Sequence, residues 1–184
     1  MRIISGAWRG RVLKAPSGAI TRPTADRTRE ALFSMLASRL GSFEDLTVAD
    51  IFAGTGALGL EALSRGAAFC TFVDDDRNAV QAIRANIAML DAKGEVLAVS
   101  VSALGPARRP YDLLLFDPPY GSGGAGALLE KLTRLGWAAD SAWAAVETRS
   151  DEQVSADGWT LDAERRHGIA KLSVLCRKAP TRPD

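Results

Sequence analysis

Four consecutive residues, Asp117-Pro118-Pro119-Tyr120, carry the groups that an exocyclic amine on a planar base needs in order to react. Such an amine is a poor nucleophile because its lone pair is delocalised into the ring. A carboxylate at Asp117 and the backbone carbonyl of Pro118, both accepting from the nitrogen, would hold its lone pair in line with an electrophile and disperse the positive charge that develops. Successive prolines stiffen that carbonyl and remove competing N–H donors. Tyr120 adds a flat face on which a base can stack. The chemistry so framed is a direct displacement that needs no metal and no covalent enzyme intermediate. Taken alone, the tetrapeptide is equally a rigid turn between a strand and a helix, so its meaning depends on its companions.

The companions lie earlier in the chain. Gly54, Gly56 and Gly59 have G-x-G-x-x-G spacing, behind the apolar Leu46, Val48, Ile51 and Phe52 and ahead of Leu58, Leu60, Ala62 and Leu63. The pattern predicts a strand, a tight loop and a helix, with Phe52 opening a cofactor-binding loop. A dinucleotide would accept this spacing, and so would S-adenosylmethionine. Asp50 separates the two, because an acid at the strand end repels a pyrophosphate and attracts the ammonium of a methionine moiety. Asp74 ends the next strand, residues 70–73, where a carboxylate can accept from both ribose hydroxyls of an adenosine. Asp76 is a helix cap for residues 78–90. In an open α/β sheet, ligands bind beyond the carboxyl ends of parallel strands, which is where these residues fall.

The remaining elements must support that edge. Residues 1–30 hold Arg2, Arg9, Arg11, Lys14, Arg22, Arg27 and Arg29 against Asp26 and Glu30, although the whole chain of 184 residues is nearly neutral at +1. Two short strand candidates, residues 2–4 and 11–13, predict a β-hairpin that presents Trp8 among arginines, an arrangement suited to stacking bases and meeting phosphates. Trp8 could equally pack the hairpin onto the domain. A helix follows to about Leu40, with Thr24 as its cap and Ala31, Leu32, Met35, Leu36 and Leu40 as its apolar stripe. Arg27 and Arg29 fall off that stripe, and one or both are expected to reach outward or into the cleft.

Further strands are expected at 96–101, 111–116 and 142–147, a helix at 128–135, and an antiparallel pair at 159–161 and 171–176 around a turn that includes His167. Residues 121–126 read as a glycine-rich lid or linker. His167, the only histidine, reads as surface decoration. Cys70 and Cys176 read as reduced structural thiols. The length predicts one domain over 1–184, with 1–20 as a basic hairpin extension and 21–184 as the core. With no apolar run of membrane-spanning length, a soluble, cytoplasmic monomer is expected.

Several segments together resemble the bacterial 16S ribosomal RNA guanine-N2 methyltransferases that act at guanine 966. They are Arg2-Ile3-Ile4-Ser5-Gly6 with Trp8-Arg9-Gly10-Arg11, Arg22-Pro23-Thr24 with Asp26-Arg27 and Arg29-Glu30, the run from Phe52 to Gly66, and Asp117-Pro118-Pro119-Tyr120. The resemblance implies a Rossmann-like class I methyltransferase fold, with a seven-stranded, mostly parallel sheet and helices on both faces. It implies S-adenosylmethionine as donor and 16S ribosomal RNA, within an assembled or partly assembled small subunit, as acceptor. The glycine loop and Asp74 then look like cofactor ligands, and Asp117 to Tyr120 like the catalytic turn. Two positions depart from the pattern: Ser102-Ala103 stands where Asp or Asn before an alanine often holds the adenine amine, and Asp75 stands where an apolar residue commonly packs on adenine. Trp8, Arg9, Arg11, Arg22, Arg27 and Arg29 form the candidate RNA-binding set. A DNA-adenine or protein-glutamine methyltransferase, and an RNA-binding assembly factor without catalysis, are the competing readings, and a dehydrogenase is the third.

Overall fold

The computed structural model describes residues 1–16, 23–119 and 124–178. Seven strands form one sheet: β1 (Thr47–Ile51), β2 (Phe69–Asp74), β3 (Gly94–Ala98), β4 (Tyr111–Phe116), β5 (Ala138–Arg149), β6 (Trp159–His167) and β7 (Ala170–Arg177). Their order is β3-β2-β1-β4-β5-β7-β6. The first five are parallel, and β7 is antiparallel to both β5 and β6. Helices α1 (Pro23–Leu40), α2 (Ala57–Ser64), α3 (Arg77–Leu90) and α4 (Ala125–Arg134) connect them. The expected Rossmann-like α/β architecture is the one found.

Alternation along β4 shows how the sheet is covered. Leu113 and Leu115 join one apolar cluster with Phe33 and Leu36 of α1, Leu60 of α2 and Ile83 of α3. Leu114 and Phe116 join the other, with Leu129 and Leu132 of α4. Successive side chains of a strand point to opposite faces, so a strand that is apolar at both parities must be buried on both.

The largest boundary differences lie near the sheet edge. β3 spans Gly94–Ala98 rather than 96–101, and Val101–Ala103 is a single 3-10 turn. Its parallel partner β2 ends at Asp74, which faces Ala98, so the ladder has no partner to continue on. β5 and β6 are longer than expected. β6 runs through His167, and the turn falls on Gly168, with φ +62°, and Ile169. α1 begins at Pro23, whose missing N–H suits a first helical position, so Thr24 lies inside the helix instead of capping it. Of the glycine-rich stretch, 121–123 lie outside the described residues, and Gly126 is already within α4.

The N-terminal hairpin forms as a single antiparallel bridge between Arg2 and Val12, and it is fastened to the domain. The Glu61 carboxylate, wholly buried, accepts from Ile4 N–H at 2.8 Å, Ser5 N–H at 3.0 Å and Arg65 Nε at 2.8 Å. Ala7 N–H donates to the Ser64 carbonyl and Trp8 N–H to the Ser64 hydroxyl. Neither cysteine is in a disulfide. Among the described residues, no helix is long and apolar enough to cross a membrane.

Candidate active site

Register brings the chemistry together. Val73 faces Ile51 across β2 and β1, Ile51 faces Phe116 across β1 and β4, and Phe116 faces Val146 across β4 and β5. The next residues therefore stand at one level: Phe52 and Asp117 just past the ends of β1 and β4, Asp74 as the last residue of β2, and Glu147 within β5 opposite Leu172 of β7. Strands lie about 4.8 Å apart, so these four side chains form one row along the carboxyl edge. The strand order reverses between β1 and β4, the position at which open α/β sheets hold ligands.

Two cavities meet along the row. One, of about 580 Å³, is lined by Phe52, Asp74, Asp75, Asp76, Asp117, Pro118, Pro119 and Glu147. The other, of about 400 Å³, lies between α1, the glycine loop and the tip of the β6–β7 hairpin, with Arg29, Phe52, Gly54, Asp117, Glu147 and His167 in its wall. Phe52, Asp117 and Glu147 line both. Phe52 has φ +66°, a conformation that non-glycine residues seldom adopt, and it turns the chain out of β1 into the loop.

The loop is held by carboxylates from below. Asp74 Oδ2 accepts Gly54 N–H at 2.8 Å and its Oδ1 accepts Asp76 N–H at 2.9 Å. Asp50, only 1% exposed, accepts Gly59 N–H at 2.8 Å through Oδ2. A Cβ at Gly59 would stand 2.4 Å from the Phe72 ring and 2.5 Å from Cys70 Sγ, so only glycine lets α2 pack this closely on β2. Asp76 caps α3 through Ala79 N–H as expected. Asp50 therefore lies under the loop instead of in a cavity wall, and burial, with smaller contributions from Asp117 and Asp74, raises its carboxyl to about 8. Among the described residues its Oδ1 is buried without a partner. A site with an orphaned buried carboxylate oxygen behind a glycine loop and a second carboxylate at the next strand end fits a ligand with a cationic amine and a ribose. The larger cavity is of the volume that small-molecule sites have.

Asp117 is exposed at the mouth of both cavities, while its carboxyl is partly desolvated by burial against their walls. That burial and the nearby Glu147 raise it to about 7. Pro118 is buried and Pro119 exposed. Tyr120 and Arg22 lie outside the described residues.

Several expected site residues stand elsewhere. Ser102 and Ala103 line neither cavity; the Ser102 hydroxyl pairs with that of Ser100 at 2.9 Å, because the 3-10 turn follows a shortened β3. Arg29 is 4% exposed, bonded to Asp26 at 3.1 Å and to the Arg2 carbonyl, and 3.9 Å from Glu61. Of the two off-stripe arginines, Arg27 thus faces outward and Arg29 meets the cleft as a wall residue between α1 and the arm. Trp8 is half-buried against the apolar cluster around Phe33, which makes it chiefly a packing residue. Arg9, Arg11 and Arg27 are exposed, and Arg11 donates to the Met89 carbonyl at 3.4 Å. His167 and the 71% exposed Ile169 line the smaller cavity, contrary to the reading of His167 as decoration. Glu147 had only one signal in the sequence, an acid ending an apolar strand.

A family described as "Conserved hypothetical protein 95" matches residues 1–176. The chain is 37% identical over 188 residues to Ribosomal RNA small subunit methyltransferase D of Escherichia coli (strain K12), spanning 100% of this chain and 93% of that relative. It is 35% identical over 181 residues to the protein of the same name in Haemophilus influenzae, spanning 95% and 92%. The solved structure of yhhF from Escherichia coli superposes with a TM-score of 0.86 at 38% identity, over 97% of this chain and 98% of that one. Magnesium protoporphyrin IX methyltransferase from Synechocystis PCC 6803, solved with bound SAM, shares the fold at 15% identity and a TM-score of 0.65, over 88% and 87%.

Proposed function

The chain belongs to the conserved hypothetical protein 95 family, and on that premise we propose that it is an S-adenosylmethionine-dependent methyltransferase acting on the exocyclic N2 of a guanine in small-subunit 16S ribosomal RNA. The observation that carries this reading is the row of Asp74, Phe52, Asp117 and Glu147 along the carboxyl edge, where a nucleoside ligand and a base amine can meet. Two named relatives over 90% of whose length the chain covers support the substrate class.

S-adenosylmethionine, when bound, supplies an electrophilic methyl on a positively charged sulfur that leaves as a neutral thioether. The glycine loop, with Gly54, Gly56 and Gly59, gives its backbone to the ligand. Asp74 and Asp75 would take the ribose side of the larger cavity, Phe52 would form the partition, and Asp50, behind the loop, would answer the ammonium, whose charge favours the ionised form of its carboxyl. Asp117 and the Pro118 carbonyl accept from the base amine, orienting its lone pair and dispersing the charge that develops on nitrogen. Transfer of the methyl would leave the nitrogen cationic, and the Asp117 carboxylate would take its surplus proton. Tyr120 stacks on the base. Arg9, Arg11, Arg22 and Arg27 meet phosphates. The protein works in the cytoplasm as a monomer on an assembled or partly assembled small subunit. It is a single domain over 1–184, with 1–20 as its arm.

The test is methyl incorporation from labelled S-adenosylmethionine into small subunits that lack their native methylations, with mapping of the product. N2-methylguanosine at one site is the expected product. Absence of transfer with cofactor binding intact would refute the acceptor assignment.

A further inference from the structure

The proposed function leaves one charged group without a task. Resting on that reading of the site, we propose that Glu147 selects the acceptor base: its carboxylate accepts the N1–H of guanine while Asp117 accepts from the adjacent N2 amine. The geometry that supports this is the register of β4 and β5. Phe116 faces Val146, so Asp117, just past β4, and Glu147, within β5, stand at one level, and both line both cavities. At the strand separation of about 4.8 Å, two carboxylates can approach one base edge side by side.

The chemistry of the bases then discriminates. An ionised carboxylate only accepts hydrogen bonds. Guanine N2 is flanked on its Watson–Crick edge by N1–H, a second donor, so two carboxylates meet two donors. Adenine N6 is flanked there by N1 and cytosine N4 by N3, each a bare lone pair. The amide nitrogen of a glutamine side chain is flanked by its own carbonyl oxygen. Each of these would set an acceptor against Glu147 and leave a desolvated charge unpaired, a repulsive contribution to specificity beside the attractive one. Asp117 alone cannot make this distinction, because every exocyclic amine donates to it. Protein glutamine and adenine, the other amine acceptors weighed for this chain, are both disfavoured by the same side chain.

The experiment uses small subunits reconstituted with 16S RNA that carries either guanosine or 2-aminopurine riboside at the acceptor position. The analogue keeps the 2-amino group and replaces N1–H by a lone pair. Wild-type protein is expected to methylate guanosine about ten- to a hundred-fold more efficiently than the analogue, the range for one hydrogen bond to a charged group. Glu147→Gln can turn an amide donor toward N1, and its preference is expected to fall to within a few-fold of unity or to invert. Calorimetric binding of S-adenosylmethionine confirms that the variant is folded. Equal rates of the wild type on both substrates would overturn the proposal without any variant, and so would an undiminished preference in Glu147→Gln. Absence of wild-type transfer to the guanosine subunit would instead remove the methyltransferase reading on which it rests.

Discussion

Glu147→Gln also probes the ionisation of Asp117. Two causes raise that carboxyl from its ordinary 3.8 to about 7: burial first, and the charge of Glu147 second. As the lesser cause, Glu147 accounts for under half of the rise. Its removal is therefore expected to lower the Asp117 midpoint, though by less than burial raises it, because the carboxyl faces an open cleft where solvent screens the pair. The sign follows from the role of Asp117. It works as a carboxylate, so transfer is lost as the pH falls through its folded-state value and is full above it. The wild-type kcat/KM, which reports ionisations of the free enzyme, is expected to rise with a midpoint near 7, and that of Glu147→Gln with a lower midpoint, beneath a lower plateau. Initial rates of methyl incorporation between about pH 5.5 and 8.5 at constant ionic strength would resolve the two profiles. An acid limb that stays in place in the variant, or moves upward, would refute the electrostatic coupling.

Asp117→Ala should lower transfer by at least about a hundred-fold while cofactor affinity by calorimetry stays within a few-fold, and an equally severe loss of binding would sink its assigned role. Glu61→Ala removes three hydrogen bonds made by a wholly buried carboxylate and strands the Ile4 and Ser5 N–H donors, while Arg29 keeps Asp26; urea unfolding should show a loss of about 2–4 kcal/mol, and a loss under about 1 would contradict the arm's fastening. The folded-state carboxyl of Asp50, raised from 3.8 to about 8, contributes stability below about pH 4 that is lost as the pH rises toward 8. In cofactor-free protein, Asp50→Asn should accordingly flatten the decline of Tm over that window, and an unchanged slope would place the titration elsewhere. Replacing both Arg9 and Arg11 by Ala should reduce the salt slope of RNA affinity by about 1.5, whereas an unchanged slope would make the arm purely structural.

The parts of this site that were legible in the sequence are those carried by local patterns. Strands β1, β2 and β4 are apolar runs ended by an acid or a glycine turn, and such runs announce both the strand and the edge where ligands gather. Glu147 was not legible because its neighbour is 30 positions away in the chain, and only the pairing of Val146 with Phe116 sets it beside Asp117. The same holds for His167. A turn residue reads as solvated until antiparallel β7 returns the hairpin tip to the carboxyl edge, where it closes the smaller cavity. The depth at which Arg29 is buried in the cleft wall was not legible for a related reason. The apolar stripe of α1 predicts one buried face, but the buried set also includes Thr28, Arg29 and Phe33, since the helix carries the arm as well as the sheet. Ser102 failed on length: β3 stops where β2 stops, and no local propensity encodes that.

The arm and the cofactor loop are not independent modules, although the sequence lists them 40 residues apart. Asn86 of α3, fully buried, donates from Nδ2 to the Lys14 carbonyl and to the Thr55 carbonyl, each at 3.0 Å, and accepts Lys14 N–H at 2.8 Å through Oδ1. One side-chain amide therefore ties the end of the basic arm to the glycine loop, while Glu61, on the helix that follows that loop, ties down its beginning. Buried polar groups satisfied this fully confine the backbones that bond to them, because releasing either strands a desolvated donor or acceptor. Exposed Arg9 and Arg11 sit between these two anchors. They therefore lie on a segment whose far anchor, Asn86, also holds the Thr55 carbonyl of the glycine loop, so the arm and the loop share one mechanical frame. That frame explains why a basic, glycine-punctuated N-terminus is folded back on the domain instead of trailing as a charged tail.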